Sequence, residues 1–140
     1  MKTEDLFAQY ETATGQHPDG LGSFLQGMTE AGATLEAAQI TQETDPAGYR
    51  MTLVTKLGLA VMRVRYAQVP DGRITWTADA VLHDWGSVSG VELTYAAQSG
   101  EDSAWTLTVR HPGPVLTIKD RDSAETWALA AAILLHLSPR

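Results

Sequence analysis

Apolar positions recur every three to four residues at both ends of this chain and every second residue through its middle. The pattern predicts helices flanking a run of strands. Leu6, Phe7, Tyr10 and Ala13 form one helical stripe. Thr3 is the expected N-cap, with Glu4 and Asp5 at the positive end, and Gly15 with His17-Pro18-Asp19-Gly20 ends the helix. A second helix is expected from about Leu21 to Ala31, where Phe24, Leu25 and Met28 share a face. Gly27 weakens it, and Gly32 is suited to stop it.

Ala33 to Thr44 fits neither period cleanly. It reads as a polar edge strand because Asp45-Pro46-Ala47-Gly48 behind it has the residues of a type I turn. Val69-Pro70-Asp71-Gly72 repeats that logic, with Gly72 at the left-handed position of a bulged hairpin loop. Between these turns Tyr49, Met51, Leu53 and Leu57 alternate with Arg50, Thr52, Val54 and Lys56. Met62, Val64 and Tyr66 alternate with Val61, Arg63 and Arg65. A three-residue loop would set the arginines against Met51 and Leu53. A two-residue loop at Gly58-Leu59, with glycine first as a type II′ turn requires, pairs Met62 with Thr55 and Val64 with Leu53. That register gathers the apolar residues on one face.

With Pro70-Asp71-Gly72 as the next loop, Tyr66 faces Trp76 and Val64 faces Ala78. Further strands are expected at Val91–Ala97, Ala104–Arg110 and Val115–Lys119, separated by turns at Gln98–Asp102 and His111–Pro114. No segment between strands is long enough for a parallel crossover, so the sheet should be antiparallel.

The last element has the strongest signals. Asp122 and Glu125 make a capping pair, Pro139 lies just past the end, and Ala124 to Leu137 is apolar on nearly every face. A helix covering one sheet face needs only one apolar stripe. At ~25 cal/mol per Å², leaving a few leucines uncovered forgoes several kcal/mol. A second cover is therefore expected, either the N-terminal helices or a second copy of the chain.

Composition narrows the class without naming a function. At 140 residues, with 44% hydrophobic and 19% charged, the chain suits one globular domain: a helical segment over 1–32, an antiparallel sheet over 33–120 and a C-terminal helix over 122–137. The expected fold class is α+β, with N-terminal helices, a meander of six to seven strands and an apolar capping helix. A net charge of −7 argues against general nucleic-acid binding. The longest apolar run, Trp127 to Leu135, falls well short of the ~20 residues of a membrane span. Met1-Lys2-Thr3-Glu4-Asp5 does not resemble a secretory signal. The lack of cysteine suits a reducing cytoplasm, and arginine outnumbering lysine seven to three suits a GC-rich bacterial genome.

Candidate chemistry is thin. Arg50, Lys56, Arg63, Arg65 and Arg73 project from the polar side of three neighbouring strands, half the positive charge of an acidic protein. They make a candidate surface for an anion or an acidic partner segment, against the plainer alternative of a solvated face met by nearby carboxylates. His83-Asp84-Trp85-Gly86-Ser87 contains hydrolase residue types, but strand neighbours diverge, and the reading favoured is a polar strand end. His17, His83, His111 and His136 lack metal-ligand spacing, and Gly20-Leu21-Gly22 lacks the context of a phosphate loop. No metal or cofactor is expected. Trp76, Trp105 and Trp127 fall on the apolar faces, as core or as the lining of a pocket for a small hydrophobic ligand.

Seven antiparallel strands followed by one helix, from about Thr34 to Leu137, is an order that resembles the pleckstrin-homology-like superfold, here with an N-terminal helical extension. The resemblance implies a non-enzymatic module that binds phosphorylated lipids, peptides or proteins through basic residues on its first hairpins, where Arg50, Lys56, Arg63 and Arg65 lie. A small acidic chain with helices at both ends is also similar to bacterial secretion chaperones, which carry a helix between two strand groups. Together these readings lead to a non-catalytic interaction domain with a protein partner, or a homodimer formed through the C-terminal helix.

Overall fold

Both N-terminal helices end where glycine can turn the chain back. The computed structural model describes residues 1–15, 21–44, 47–97, 99–100, 104–113, 115–119 and 124–137. Asp45 and Pro46 of the expected turn, Asp122, Pro139 and His17 lie outside them. Helix α1 (Thr3–Thr14) starts with Lys2 rather than Thr3 in the cap position, and the Asp5 carboxylate accepts from the Lys2 backbone N–H at 3.3 Å. Gly15 closes it at φ +68°, donating to the Glu11 carbonyl at 2.8 Å. Helix α2 (Leu21–Glu30) closes on Gly32 at φ +91°, where the Ala33 N–H reaches back to the Met28 carbonyl at 2.8 Å.

The chain forms two compact units, Met1–Leu82 and His83–Arg140. In the first, β1 (Leu35–Thr44), β2 (Ala47–Thr55), β3 (Gly58–Gln68) and β4 (Ile74–Asp84) form one sheet in chain order, with β4 ending just past the unit boundary. The ambiguous segment is thus a strand, and it lies at the sheet edge as its polarity suggested. A register shift between Leu35 and Ala37 breaks its alternation, which explains why neither period fitted. Leu6 and Tyr10 of α1 and Leu25 and Met28 of α2 pack with Met51, Leu53, Ala60, Met62 and Val64 in one core.

The β2–β3 register differs from expectation. Met62 pairs with Met51 rather than Thr55, and Leu53 pairs with Ala60 rather than Val64. Lys56 and Leu57 form the turn, and Gly58 opens β3. Thr55 is the physical reason. Its buried hydroxyl accepts from the Gly58 N–H at 3.0 Å and donates to the Gly58 carbonyl at 2.8 Å, closing a tight turn without glycine inside it. The displacement is an even number of residues, so each side chain keeps its face. The next loop is as expected. The Val69 N–H donates to the Arg73 carbonyl and the Gly72 N–H to the Val69 carbonyl, both at 2.9 Å, with Gly72 at φ +87°.

Gly48, expected in a turn, is instead a buried strand residue opposite Arg65. A Cβ there would overlap the Val64 carbonyl oxygen. Only glycine lets β2 and β3 approach this closely.

In the second unit, the 3₁₀ turn Trp85–Ser87 leads into a sheet of β5 (Gly90–Ala96), β6 (Ala104–Arg110) and β7 (Leu116–Lys119), all antiparallel, and then α3 (Ala124–Leu137). The alternation of β6 is realised: Trp105, Leu107 and Val109 are buried, as are Leu116 and Ile118 of β7. Helix α3 contacts β7 and buries Thr126, Leu129, Ala130 and Ile133. The fold is therefore α+β, with antiparallel sheets of four and three strands. Among the described residues no helix is long and apolar enough to cross a membrane.

Candidate interaction surfaces

The strand pairing decides which of the basic residues converge. Arg50 lies directly opposite Arg63, and Arg65 follows two residues on along the same face of β3. Lys56 sits in the β2–β3 turn, six residues from Arg50 and hence ~20 Å away along an extended strand. Thr52, Val54 and Leu59, between the arginines and that turn, are buried. The cationic character is thus confined to one end of the face.

Carboxylates meet most of it. Arg63 lies 3.6 Å from Glu43, Arg65 3.4 Å from Asp79, and Arg73 in its loop 2.5 Å from Asp71. Such pairs, partly or largely exposed, contribute roughly 0–1 kcal/mol each. The Glu43 carboxylate beside Arg63 offsets part of the repulsion of the Arg50–Arg63 cross-strand pair. The Arg50 Nε is buried and has no hydrogen-bond partner.

On the opposite face of the sheet, against α1, lies a group the sequence reading passed over. The rings of Tyr10, Tyr49 and Tyr66 stack edge to face at 6.4 and 6.1 Å, and the Tyr10 and Tyr66 hydroxyls share a 2.9 Å hydrogen bond. Burial first, and the bond to Tyr66 second, hold the Tyr10 hydroxyl well above the usual phenol range. Its helical and strand partners are separated by more than fifty residues, so periodicity alone gives no signal of this contact.

The second unit gathers its aromatic and imidazole rings in pairs. His83 and His111 lie 4.4 Å apart, centroid to centroid. Trp85 stacks on His136 at 4.3 Å and 11°, and Trp105 meets Trp127 at 4.4 Å. The His111 Nδ1 accepts from the Gly113 N–H at 3.1 Å. Asp84 is occupied in capping. Its carboxylate accepts from the Ser87 N–H at 3.0 Å, and its carbonyl accepts from the Ser87 hydroxyl at 2.8 Å. Asp84 and Ser87 therefore bond to each other, while the His83 ring lies against that of His111. Among the described residues no group of three or more histidines and carboxylates is placed to hold a metal ion.

Of the three expected apolar tryptophans, Trp105 is buried while Trp76 and Trp127 are about half exposed. Trp76 belongs to the first unit and the other two to the second. A groove of about 540 Å³ does exist within the second unit, with a mixed polar and apolar lining from other residues: Val88 to Val91 and Leu93 on the β5 side, Leu134 and Leu137 from α3.

The more extensive feature is apolar surface left in solvent. Strand β4 is exposed almost throughout, with Ile74 at 71%, Trp76 at 49%, and Val81 and Leu82 also open. On β5, Leu93 and Tyr95 are exposed, and on α3 Trp127 and Leu135. Helix α3 thus buries one stripe and leaves Trp127 and Leu135 without the second cover expected for it. No known family model, curated protein or solved structure matches this chain.

Proposed function

We propose that this chain is a non-catalytic protein-interaction domain of a bacterial cytosol, working through apolar surface rather than through its charged face. The observation that carries the reading is the set of large apolar side chains held in solvent on ordered elements: Ile74, Trp76 and Leu82 on β4, Leu93 and Tyr95 on β5, Trp127 and Leu135 on α3. Contiguous exposed apolar residues on one strand or helix face mark interaction sites far more often than scattered ones do. The cationic face supports an anion site less well, because Arg63, Arg65 and Arg73 each have a carboxylate beside them. Four antiparallel strands, then three, then a helix is an order that supports the resemblance to pleckstrin-homology-like modules. That likeness favours a binding role on fold analogy alone.

The test is site-specific photo-crosslinking in bacterial cells, with the photoreactive residue at Trp76 or Leu135 and, as control, at the exposed polar Glu11. Discrete protein adducts from the two apolar positions and none from Glu11 are the expected result. Equal labelling from all three would sink the reading. The groove beside Leu134 favours a second reading, a carrier of a small apolar ligand. It predicts saturable binding of an apolar fluorescent dye that Leu134→Arg abolishes, and dye binding unchanged by that substitution removes it.

A further inference from the structure

The geometry points to strand β4 as a self-pairing edge: we propose that two copies of the chain join antiparallel through β4, with Ala78 at the two-fold axis. The proposal rests on the reading that the protein acts through exposed apolar surface, and commits that surface on β4 to a second copy. Three observations carry it: the open hydrogen-bonding edge, the exposure of its side chains, and its charge pattern.

The sheet order places β4 at an edge. The hairpin loop fixes which backbone groups are spent inside the sheet. The Arg73 carbonyl accepts from the Val69 N–H at 2.9 Å, and the Thr75 hydroxyl reaches the Ala67 carbonyl at 3.2 Å, so odd-numbered residues of β4 bond to β3. By alternation the N–H and C=O groups of Ile74, Trp76, Ala78, Ala80 and Leu82 point away from the sheet. Edges of this kind are normally blunted by proline, lysine, a bulge or brevity. Between Ile74 and Asp84 there are eleven residues with no proline, glycine or lysine.

Charge selects the register. The fullest overlap of β4 with its own copy would set Asp79 against Asp79 of the second copy, like charges directly opposite. Moving one step along relieves this. Leu82 then faces Ile74, Trp76 faces the small Ala80, Asp79 faces the Thr77 hydroxyl, and Arg73 comes beside His83 and Asp84. The five outward-pointing residues all lie on one face, the face on which Ala80 packs against the core. Pairing therefore continues an apolar stripe from one copy to the other. A step in the other direction sets Trp76 against Asp84 and carries Ile74 past the strand end. The edge is thus complementary to itself in one register, which an unrelated partner strand would not require.

The chain has no cysteine, so single cysteines report cleanly. Two Ala78 residues across the axis would sit about 5.5 Å apart, within disulfide reach. Under mild oxidation Ala78→Cys is expected to form a covalent dimer, while Leu82→Cys and Leu135→Cys stay monomeric. Sedimentation of the unmodified chain at micromolar concentration should give twice the 15.1 kDa monomer mass. Ala78→Pro removes an N–H that only the dimer uses and should leave a folded monomer. Trp76→Lys should weaken association at least ~10-fold, and carries the test if the proline variant misfolds. A monomer across that range overturns the proposal, as does a dimer indifferent to Trp76→Lys or one cross-linked through Leu135 instead of Ala78. Protein adducts at Trp76 from a monomeric chain would preserve the broader interaction reading while ending this one.

Discussion

Strands β2 and β4 belong to the same sheet and carry similar numbers of apolar residues, yet from Met51 to Thr55 every residue of β2 is buried and nearly every residue of β4 is exposed. Hydropathy does not separate them. Position does: β2 lies between β1 and β3, whereas β4 is the last strand of its sheet. The comparison teaches that apolar content sets what a strand can bury, and that its neighbours set what it does bury.

The largest test of that contrast is a matched pair of truncations. Leu53→Ala empties a fully buried site between helices and sheet and should cost ~2–5 kcal/mol, read as a fall in the urea midpoint. Ile74→Ala, measured at a dilution where the chain is monomeric, removes a side chain that is 71% exposed and should move stability by no more than ~0.5 kcal/mol. Equal losses would mean that β4 is covered in solution by something that shields Ile74 as fully as Leu53. Gly48→Ala probes the closeness of β2 to β3. The added methyl group meets the Val64 carbonyl oxygen and Arg65 Cα, both backbone atoms that cannot rotate aside, so a loss of ~2–3 kcal/mol is expected in the same assay. A smaller effect attaches to the turn between them. Thr55→Val keeps the shape but strips Gly58 of both side-chain hydrogen bonds, and should cost ~1–2 kcal/mol.

The same contrast explains what could be read in advance. Element order was legible, because caps, turn residues and periodicity are local properties: Gly15, Gly32 and Gly72 all adopt the left-handed geometry their positions implied. The β2–β3 register was not, because two turns of equal length satisfied the apolar alternation. What separates them is the Thr55 hydroxyl, whose bonds to Gly58 have no sequence signature as strong as a glycine in a turn. Trp76 was placed on the correct face by register, but the face itself runs out of cover at the sheet edge. Of the candidate cationic site, the identity of the residues on one side was legible. That carboxylates would meet them was the plainer alternative, but their identity as Glu43 and Asp79 was not legible, since both come from other strands.

The finest test concerns a polar group held inside the first unit. Tyr10 is 4% exposed and shares its hydroxyl proton with Tyr66. Burial and that bond raise its ionisation above the ~10 of a free phenol. Below about pH 10 the group is protonated both folded and unfolded, and its contribution to stability is fully present. As pH rises further, the unfolded chain loses the proton while folded Tyr10 keeps it, so stability falls. The slope from this one group is at most ~1.4 kcal/mol per pH unit, and water reaching the partly buried Tyr66 hydroxyl lowers it. Tyr10→Phe should cost ~0.5–1.5 kcal/mol at pH 8, where only the hydrogen bond is lost. The deficit should then shrink between pH 10 and pH 11, because the variant has no phenol there to ionise. Urea midpoints of both proteins across that range read the difference directly, and a deficit that stays constant with pH would show that the Tyr10 proton is no better held in the fold than out of it.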